Sequence, residues 1–128
     1  MASKKQMPSP SIGIDIDGCI DEFPIFFQTF SASWPGKVYI ITMRSEPESV
    51  KKFLEEKMIR YDELILAESF KDKGKIIRDK GIMVFFDDQP EIIKHINSNC
   101  ACMLVRNEGN FDFENKRYVM SDKTCEII

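Results

Sequence analysis

Short apolar runs alternate along the chain with segments whose apolar residues recur at helical spacing. The apolar runs are rich in β-branched and aromatic residues, as expected of strands that are buried on both faces of a parallel sheet. Such runs occupy residues 12–16, 38–42, 63–67, 82–86 and 101–105. The pattern predicts an α/β fold, a three-layer doubly wound parallel sheet of about five strands with helices on both faces.

Helical patterns lie between the first three predicted strands. Residues 22–30 place phenylalanines at the spacing of one helix face. Ser45 and Glu48 have the spacing of a capping box, in which each side chain bonds a free backbone N–H of the first helical turn. We therefore expect a helix that begins at Ser45 and runs to Met58.

The second half of the chain contains shorter helical patterns. Residues 75–80 predict a short helix that a glycine ends, and residues 90–96 predict a helix that is entered through a proline. Turn-forming residues dominate 107–128, where we expect at most a short final strand near 117–120.

The composition is that of one globular domain. The 128 residues are 43% hydrophobic and 30% charged and include ten phenylalanines, enough to build a core. We expect a disordered N-terminal arm at 1–10 and a single domain at 11–128. The formal net charge of −3 provides no basic excess to neutralise phosphates, which argues against sequence-specific binding of nucleic acid.

The sequence favours a cytoplasmic location. No apolar run approaches the roughly 20 residues that span a bilayer, so no membrane partner is expected. Lys4 and Lys5 are not followed by the apolar stretch of a secretory signal. The four cysteines contain no CxxC pair, and we expect them to be reduced.

Residues with reactive or charged side chains follow several predicted strands. Ligands of doubly wound sheets bind outside the carboxyl ends of the strands, where the strand order reverses. Asp15 and Asp17 are two apart on extended backbone, so we expect their side chains on the same side, and Gly18 allows a sharp exit from the strand. The other residues in such positions are Thr42 and Arg44 after the second strand, Asp87 and Asp88 after the fourth, and Lys73 in the loop before the third helix.

The four acids predict a cation site. If the first and fourth strands are neighbours, their carboxylates meet at one edge of the sheet, and like charges so close cannot all stay ionised without a cation. With no histidine or thiolate at hand, we expect oxygen ligands only, which favour Mg²⁺ over zinc. Glu91 could support the site from the following helix.

Each feature also has a local explanation. Asp17 followed by glycine is a common turn, and Asp88 is well placed to begin a helix before a proline. The lysines at positions 71, 73 and 75 are compatible with a solvated run of charge on a helix. The set as a whole is more specific than any of its members, because it holds the components of phosphoryl transfer.

Taken in order, these residues resemble the motifs of the haloacid dehalogenase (HAD) superfamily of phosphohydrolases. The family's motifs are an apolar strand followed by DxD, an apolar strand that ends in Thr or Ser, a lysine at a helix start, and an apolar strand that ends in paired acids. The matching segments are 12–18, 38–42, 73–77 and 84–88. The resemblance covers residues 12 to about 105.

The resemblance implies a phosphatase that acts through an aspartyl-phosphate intermediate. Asp15 would attack phosphorus, and Asp17 would protonate the leaving group and then activate the hydrolytic water. Thr42 would hydrogen-bond the transferring phosphoryl group, and Lys73 would offset its charge and that of Asp15.

The resemblance also implies a Mg²⁺ cofactor and a phosphorylated substrate. The substrate-binding residues would be Thr42, Met43, Arg44 and Lys73. The metal would be held by Asp15, the backbone carbonyl of Asp17, Asp87 and Asp88, with either acid of the last pair as the direct ligand.

Two departures from the family pattern stand out. Cys19 replaces the usual Thr or Val, a change that we expect to affect packing rather than chemistry. Only 24 residues separate Asp17 from Thr42 and 30 separate Thr42 from Lys73, which leaves no room for a cap domain. An uncapped site is open, so a second copy of the chain could close it. The aromatic loop at 109–113 could cover it or form an interface, although we expect the loop to pack onto the core.

The motifs leave both the substrate and the function class open. The expected substrate is a phosphorylated small molecule or a macromolecular phosphoester. A nucleotidase or a sugar-phosphate-specific enzyme would share the same motifs. A regulatory module that binds phosphate and metal without turnover is the alternative outside enzymes.

Overall fold

A single parallel sheet organises the protein. The computed structural model describes residues 9–97 and 99–120. The strands of the sheet are β1 (Ser11–Ile14), β2 (Val38–Thr42), β3 (Glu63–Leu66), β4 (Ile82–Asp87) and β5 (Ala101–Leu104). They are all parallel, in the order β3-β2-β1-β4-β5. This architecture confirms the predicted α/β class, and the order reverses between β1 and β4.

Helices cover both faces of the sheet and create two cores. On one face lie α1 (Pro24–Ser33) and α2 (Pro47–Glu56), whose buried residues join those of β1 and β2. On the other face lie α3 (Phe70–Asp79) and a 3₁₀ helix, Pro90–His95. The connections between the described strands contain only these helices, one short helical turn and loops, so no cap domain is inserted in residues 9–97 and 99–120.

Two helix starts differ from the predicted ones. The helix expected from Ser45 begins at Pro47, with Glu46 as the N-cap and no capping hydrogen bond from its side chain. The helix expected at 75–80 begins five residues earlier, at Phe70. There Ser69 accepts a hydrogen bond from the Asp72 N–H (3.0 Å), and the Asp72 carboxylate accepts one from the Glu68 N–H (2.9 Å). This reciprocal cap places Lys73 inside a helix rather than in the predicted loop.

The third helix packs unusually close to the 3₁₀ helix. A Cβ at Gly74 would overlap the carbonyl of His95, so only glycine permits this contact. The segment Pro90–His95, predicted as an ordinary helix, forms the tighter 3₁₀ type. The close approach fixes α3, and with it Lys73, relative to the 3₁₀ helix on the same face of the sheet.

Only two of the four phenylalanines on one face of α1 and its N-cap pack into the core. Phe27 is buried and Phe30 packs against the same cluster, whereas Phe23 and Phe26 are 43% and 52% exposed. Helical spacing predicted one buried face, and the structure leaves two of its four rings in solvent.

The chain after β5 returns as a small hairpin. Phe111–Asp112 pairs antiparallel with Arg117–Tyr118, which confirms a short strand near the predicted 117–120. Most of the predicted N-terminal arm and the last part of the predicted tail, residues 1–8 and 121–128, lie outside the described residues. Within the described residues, no helix is both long and apolar enough to cross a bilayer.

Candidate active site

The carboxyl ends of β1 and β4 meet at the point where the strand order reverses. Ile14 is in register with Phe86, and the Asp15 N–H donates a hydrogen bond to the Phe86 carbonyl (2.9 Å). Asp15 therefore leaves β1 beside Asp87, the last residue of β4, and Asp88 comes next. All three acids are buried, at 4%, 0% and 5% exposure. The sheet topology thus brings together three of the four acids that the sequence singled out.

Lys73 reaches this cluster from α3. Its Nζ lies 3.1 Å from Asp15 Oδ1 and 2.9 Å from Asp87 Oδ2, and its side chain is 2% exposed. The rings of Phe70 and Phe85 flank the ammonium, each with its centroid 5.8 Å from Nζ. Burial acts to lower the pKa of Lys73, but the two carboxylates outweigh it and raise the pKa above its ordinary value. Lys73 is therefore a cation in the folded protein.

The cluster carries more negative than positive charge. Asp15, Asp87 and Asp88 face the single ammonium of Lys73, an excess of two negative charges when all are ionised. Burial, reinforced by Asp87, raises the pKa of Asp15 well above its usual range. The same two causes raise the pKa of Asp88 to about 7. An added cation would reverse this penalty, so the cluster is electrostatically prepared to accept one.

Gly18 shapes the backbone over the cluster. Its φ is +81°, and a Cβ there would overlap the carboxylate of Asp88, so both the conformation and the contact require glycine. The Gly18 N–H donates a hydrogen bond to Asp21 Oδ1 (2.7 Å). The residues around it, Ile16–Ile20, form a short helical turn in which Cys19 is buried.

Two asparagines after β5 tie this turn to the acids, and sequence reasoning missed them. Asn107 Nδ2 donates to the Gly18 carbonyl (3.0 Å), and Asn110 Nδ2 donates to the carbonyls of Asp88 and Val105. Both are buried, and Asn107 Oδ1 also caps the local turn. Asn107, which follows β5 after two intervening residues, was the one that its position near a strand end could have indicated.

The possible metal ligands differ from the predicted set. One oxygen each from Asp15 and Asp88 and the sulfur of Cys19 all lie within 4.8 Å of one another. Asp88 Oδ1 is buried and has no hydrogen-bond partner among the described residues. Asp87 is instead engaged by the Lys73 ammonium and by the Gln89 N–H (2.9 Å). The expectation that no thiol is at hand is wrong, because the turn after β1 places the Cys19 sulfur beside the acids. The oxygen-ligated Mg²⁺ site stays a prediction.

Asp17 lies outside the buried cluster. Its side chain is 59% exposed and pairs with Arg44, whose Nη2 is 2.7 Å and whose Nε is 3.1 and 3.2 Å from the carboxylate oxygens. The hydrogen bond to Asp17 is the main cause that raises the pKa of Arg44. The Arg44 guanidinium also stacks on the Phe53 ring, 4.8 Å from its centroid. Asp15 and Asp17 thus have different environments, although sequence spacing suggested one shared side.

The remaining predicted site residues occupy the end of β2 and the first turn after β4. Thr42 is fully buried, and its Oγ1 accepts a hydrogen bond from the Arg44 N–H (3.1 Å). Met43 is 43% exposed, and Glu91 is 2% exposed. Glu91 is not a member of the three-residue ligand group found in the described chain.

The aromatic loop at 109–113 packs within its own hairpin. Phe111 contacts Phe113 and Tyr118 edge-on, with ring centroids 5.0 Å apart in both pairs. The Arg106 guanidinium lies over Phe111 and Phe113, 5.1 and 5.0 Å from their centroids. Phe113 is 51% exposed, so this loop is neither part of the main cores nor fully covered.

Neither a comparison with models of known protein families nor a search of curated proteins found a match to this chain.

Proposed function

We propose that this protein is a Mg²⁺-dependent phosphohydrolase of the HAD type that acts through an aspartyl-phosphate intermediate. The observation that carries the proposal is the buried contact of Lys73 with Asp15 and Asp87 at the carboxyl ends of β1 and β4, where the strand order reverses. Burying charge is costly, so the fold alone does not require a lysine to be buried between two acids at this position. Such sheet edges are where doubly wound proteins bind ligands.

Asp15 supplies the nucleophile in this mechanism. Its carboxylate oxygen forms a bond to phosphorus while the ester P–O bond breaks, and the leaving oxygen takes a proton from Asp17. The Lys73 ammonium, 3.1 Å from Asp15 Oδ1, fixes that carboxylate and offsets charge on the phosphoryl oxygens. The Thr42 hydroxyl, which accepts a hydrogen bond from the Arg44 N–H, would donate its own proton to the same oxygens.

Water completes the cycle. Asp17, now a carboxylate, accepts a proton from water as the water oxygen bonds to phosphorus, and the acyl-phosphate bond to Asp15 breaks to release inorganic phosphate. Proton transfer at Asp17 requires access to solvent and substrate, which its 59% exposed side chain supports. The two-point contact with Arg44 must open before Asp17 can exchange a proton with the substrate.

The acids of the cluster fit a divalent cation. Oxygens of Asp15 and Asp88 would hold Mg²⁺, together with the backbone carbonyl of Asp17, while Asp87 would position Lys73. The unpartnered Oδ1 of Asp88 and the excess negative charge support this assignment. Bound Mg²⁺ supplies charge neutralisation and orientation of the phosphoryl group.

The described connections between strands contain no inserted domain that could cover a substrate, which favours a substrate that the chain does not enclose by itself. We infer a phosphorylated small molecule or a macromolecular phosphoester, with Met43 and Arg44 beside the phosphoryl site and a second copy as a possible closing partner. A cytoplasmic location is also part of the proposal. It is supported by the free cysteines among the described residues, Cys19, Cys100 and Cys102.

One observation favours a rival function. Arg44 grips Asp17 through both Nε and Nη2, which would keep the proposed acid–base group from acting. A chain that keeps this pair closed would be a phosphate- and metal-binding module without turnover.

The test is hydrolysis of p-nitrophenyl phosphate by the full chain, with Mg²⁺ or with EDTA. The proposal expects turnover that requires Mg²⁺ and disappears in Asp15→Asn. Asp79→Asn is the matched control, because Asp79 is exposed and paired only on the surface of α3, and it should retain turnover. An inactive wild type that still binds Mg²⁺ in calorimetry would favour the binding module, and an inert chain that binds no Mg²⁺ would overturn both.

A further inference from the structure

Cys19 is a chemical exception within the acid cluster. Its sulfur and one oxygen each from Asp15 and Asp88 lie within 4.8 Å of one another, and the residue is fully buried. One sulfur and two oxygens are not the ligand set of a hard cation such as Mg²⁺, which binds oxygen almost exclusively. Thiolate ligands select softer ions such as Zn²⁺.

We propose that Cys19, Asp15 and Asp88 form an alternative metal site, which shares two acids with the proposed Mg²⁺ site. It binds a thiophilic divalent ion of the Zn²⁺ class in competition with Mg²⁺. Occupation by that ion holds the Asp15 oxygen that would otherwise attack phosphorus. The inhibitory consequence rests on the proposed function, whereas the metal site itself does not.

A second observation, independent of the cysteine, points to a ligand at this place. Asp88 is only 5% exposed; its Oδ2 accepts a hydrogen bond from Gln89 Nε2 (2.9 Å), whereas its Oδ1 has no hydrogen-bond partner among the described residues. A buried carboxylate oxygen without a donor carries a desolvation cost that a bound cation removes. The same carboxylate contributes a ligand atom to the group that contains the Cys19 sulfur.

The spacing suits a small tetrahedral ion. Zn²⁺ binds cysteine sulfur at about 2.3 Å and carboxylate oxygen at about 2.0–2.2 Å, commonly with three protein ligands and a water. The three ligand atoms lie within 4.8 Å of one another, and a shared ion would draw them to these bonding distances. On binding, the Cys19 thiol releases its proton to solvent and the sulfur bonds to the ion, so no oxidant or reductant is involved.

A purely structural role for Cys19 makes a different prediction. The residue belongs to the hydrophobic cluster on the α1 and α2 face of the sheet, where a small apolar side chain is useful. If packing is its only role, Cys19→Ser changes stability without changing the preference among divalent ions. Metal selectivity therefore separates the two roles.

Co²⁺ is the probe, because a Co²⁺–thiolate bond gives a charge-transfer absorption band in the near ultraviolet. The experiment titrates the full reduced chain with Co²⁺, then with Zn²⁺ to displace it, and in a parallel series adds Mg²⁺ as competitor. Cys19→Ser and Asp88→Asn are compared with wild type, and Cys102→Ser is the matched control on β5. Far-ultraviolet circular dichroism verifies that each variant is folded, with Cys19→Val as a second replacement if Cys19→Ser is not.

We expect a band in wild type and Cys102→Ser, its loss in the Cys19 variant and in Asp88→Asn, and its decrease as Mg²⁺ is raised. Zn²⁺ affinity should fall by at least about 10–100-fold in the Cys19 variant, since the loss of an outer-shell partner alone has that effect. A folded wild type without the band, or a band that survives in the Cys19 variant, overturns the metal site.

The same samples separate this proposal from the phosphatase mechanism. A band with no Mg²⁺-dependent hydrolysis leaves the thiophilic site in place and removes the proposed function. Hydrolysis without a band removes only the thiophilic site. If both are present, micromolar Zn²⁺ should inhibit wild type, and the Cys19 variant should need more Zn²⁺ for half-inhibition of its own rate.

Discussion

Two aspartates that are two residues apart, Asp15 and Asp17, lie in opposite physical environments. Asp15 is buried and contacts the buried ammonium of Lys73, with side-chain exposures of 6% and 2%. Asp17 pairs with Arg44 in a contact whose side chains are 59% and 32% exposed. The first pair lies in a buried cluster of low dielectric constant, and the second lies at the surface, partly exposed to solvent.

The difference shows that one short motif contains a buried carboxylate, Asp15, and an exposed one, Asp17. A buried ion pair is rigid and costly to break, because loss of one partner leaves an uncompensated charge. An exposed pair contributes little and exchanges readily with solvent. In the proposed mechanism, the nucleophile Asp15 must be held in a fixed orientation, which burial provides. The acid–base group Asp17 must exchange protons, which an exposed position allows.

The largest expected effect comes from removing the buried cation. Lys73→Met leaves Asp15 and Asp87 without their partner, and we expect the free energy of unfolding in EDTA to fall by about 3–5 kcal/mol. Urea unfolding measures the change. Lys75→Met is the matched control two residues along α3, where an exposed pair with Asp79 should contribute less than about 0.5 kcal/mol. Equal losses in both variants would show that the buried pair is not special.

The next effect concerns the response to Mg²⁺. A cation that binds only the folded chain stabilises it by about 2.7 kcal/mol at a concentration of 100 times Kd. We expect wild type to gain stability in this way and Asp88→Asn to lose most of the gain, because its carboxylate is a proposed ligand. Thermal unfolding with Mg²⁺ and with EDTA tests this, and Asp79→Asn should respond as wild type does. An undiminished gain in Asp88→Asn would exclude Asp88 as a ligand.

The smallest effect on stability is expected at the exposed pair. Asp17→Asn should change the free energy of unfolding by less than about 1 kcal/mol. A double-mutant cycle with Arg44→Met should give a coupling energy of about 0.2–1 kcal/mol. The same Asp17→Asn variant should lose about 10²–10⁴-fold in turnover of p-nitrophenyl phosphate, because it removes general acid–base catalysis. Unchanged turnover would mean that Asp17 takes no part in the reaction.

The local pattern of apolar and polar residues was enough to predict much of this protein's architecture. The buried-strand runs predicted the parallel sheet because strands covered on both faces are apolar throughout. The chain positions just after those strands pointed to Asp15, Asp87, Asp88 and Thr42, since parallel strands align their carboxyl ends. The start of α3 was wrong because its cap depends on Ser69 and Asp72, a pairing that outweighed the helix start expected at Lys75.

Tertiary structure decided the division of roles among the charged residues. Sequence spacing grouped Asp15 with Asp17, but the left-handed turn at Gly18 and the contact with Arg44 leave Asp17 at the surface. The same turn, tied down by Asn107 across 89 positions of sequence, places the Cys19 sulfur among the acids. Local periodicity encodes which faces are buried, whereas the partner of each buried charge depends on contacts between distant segments, which no local pattern contains.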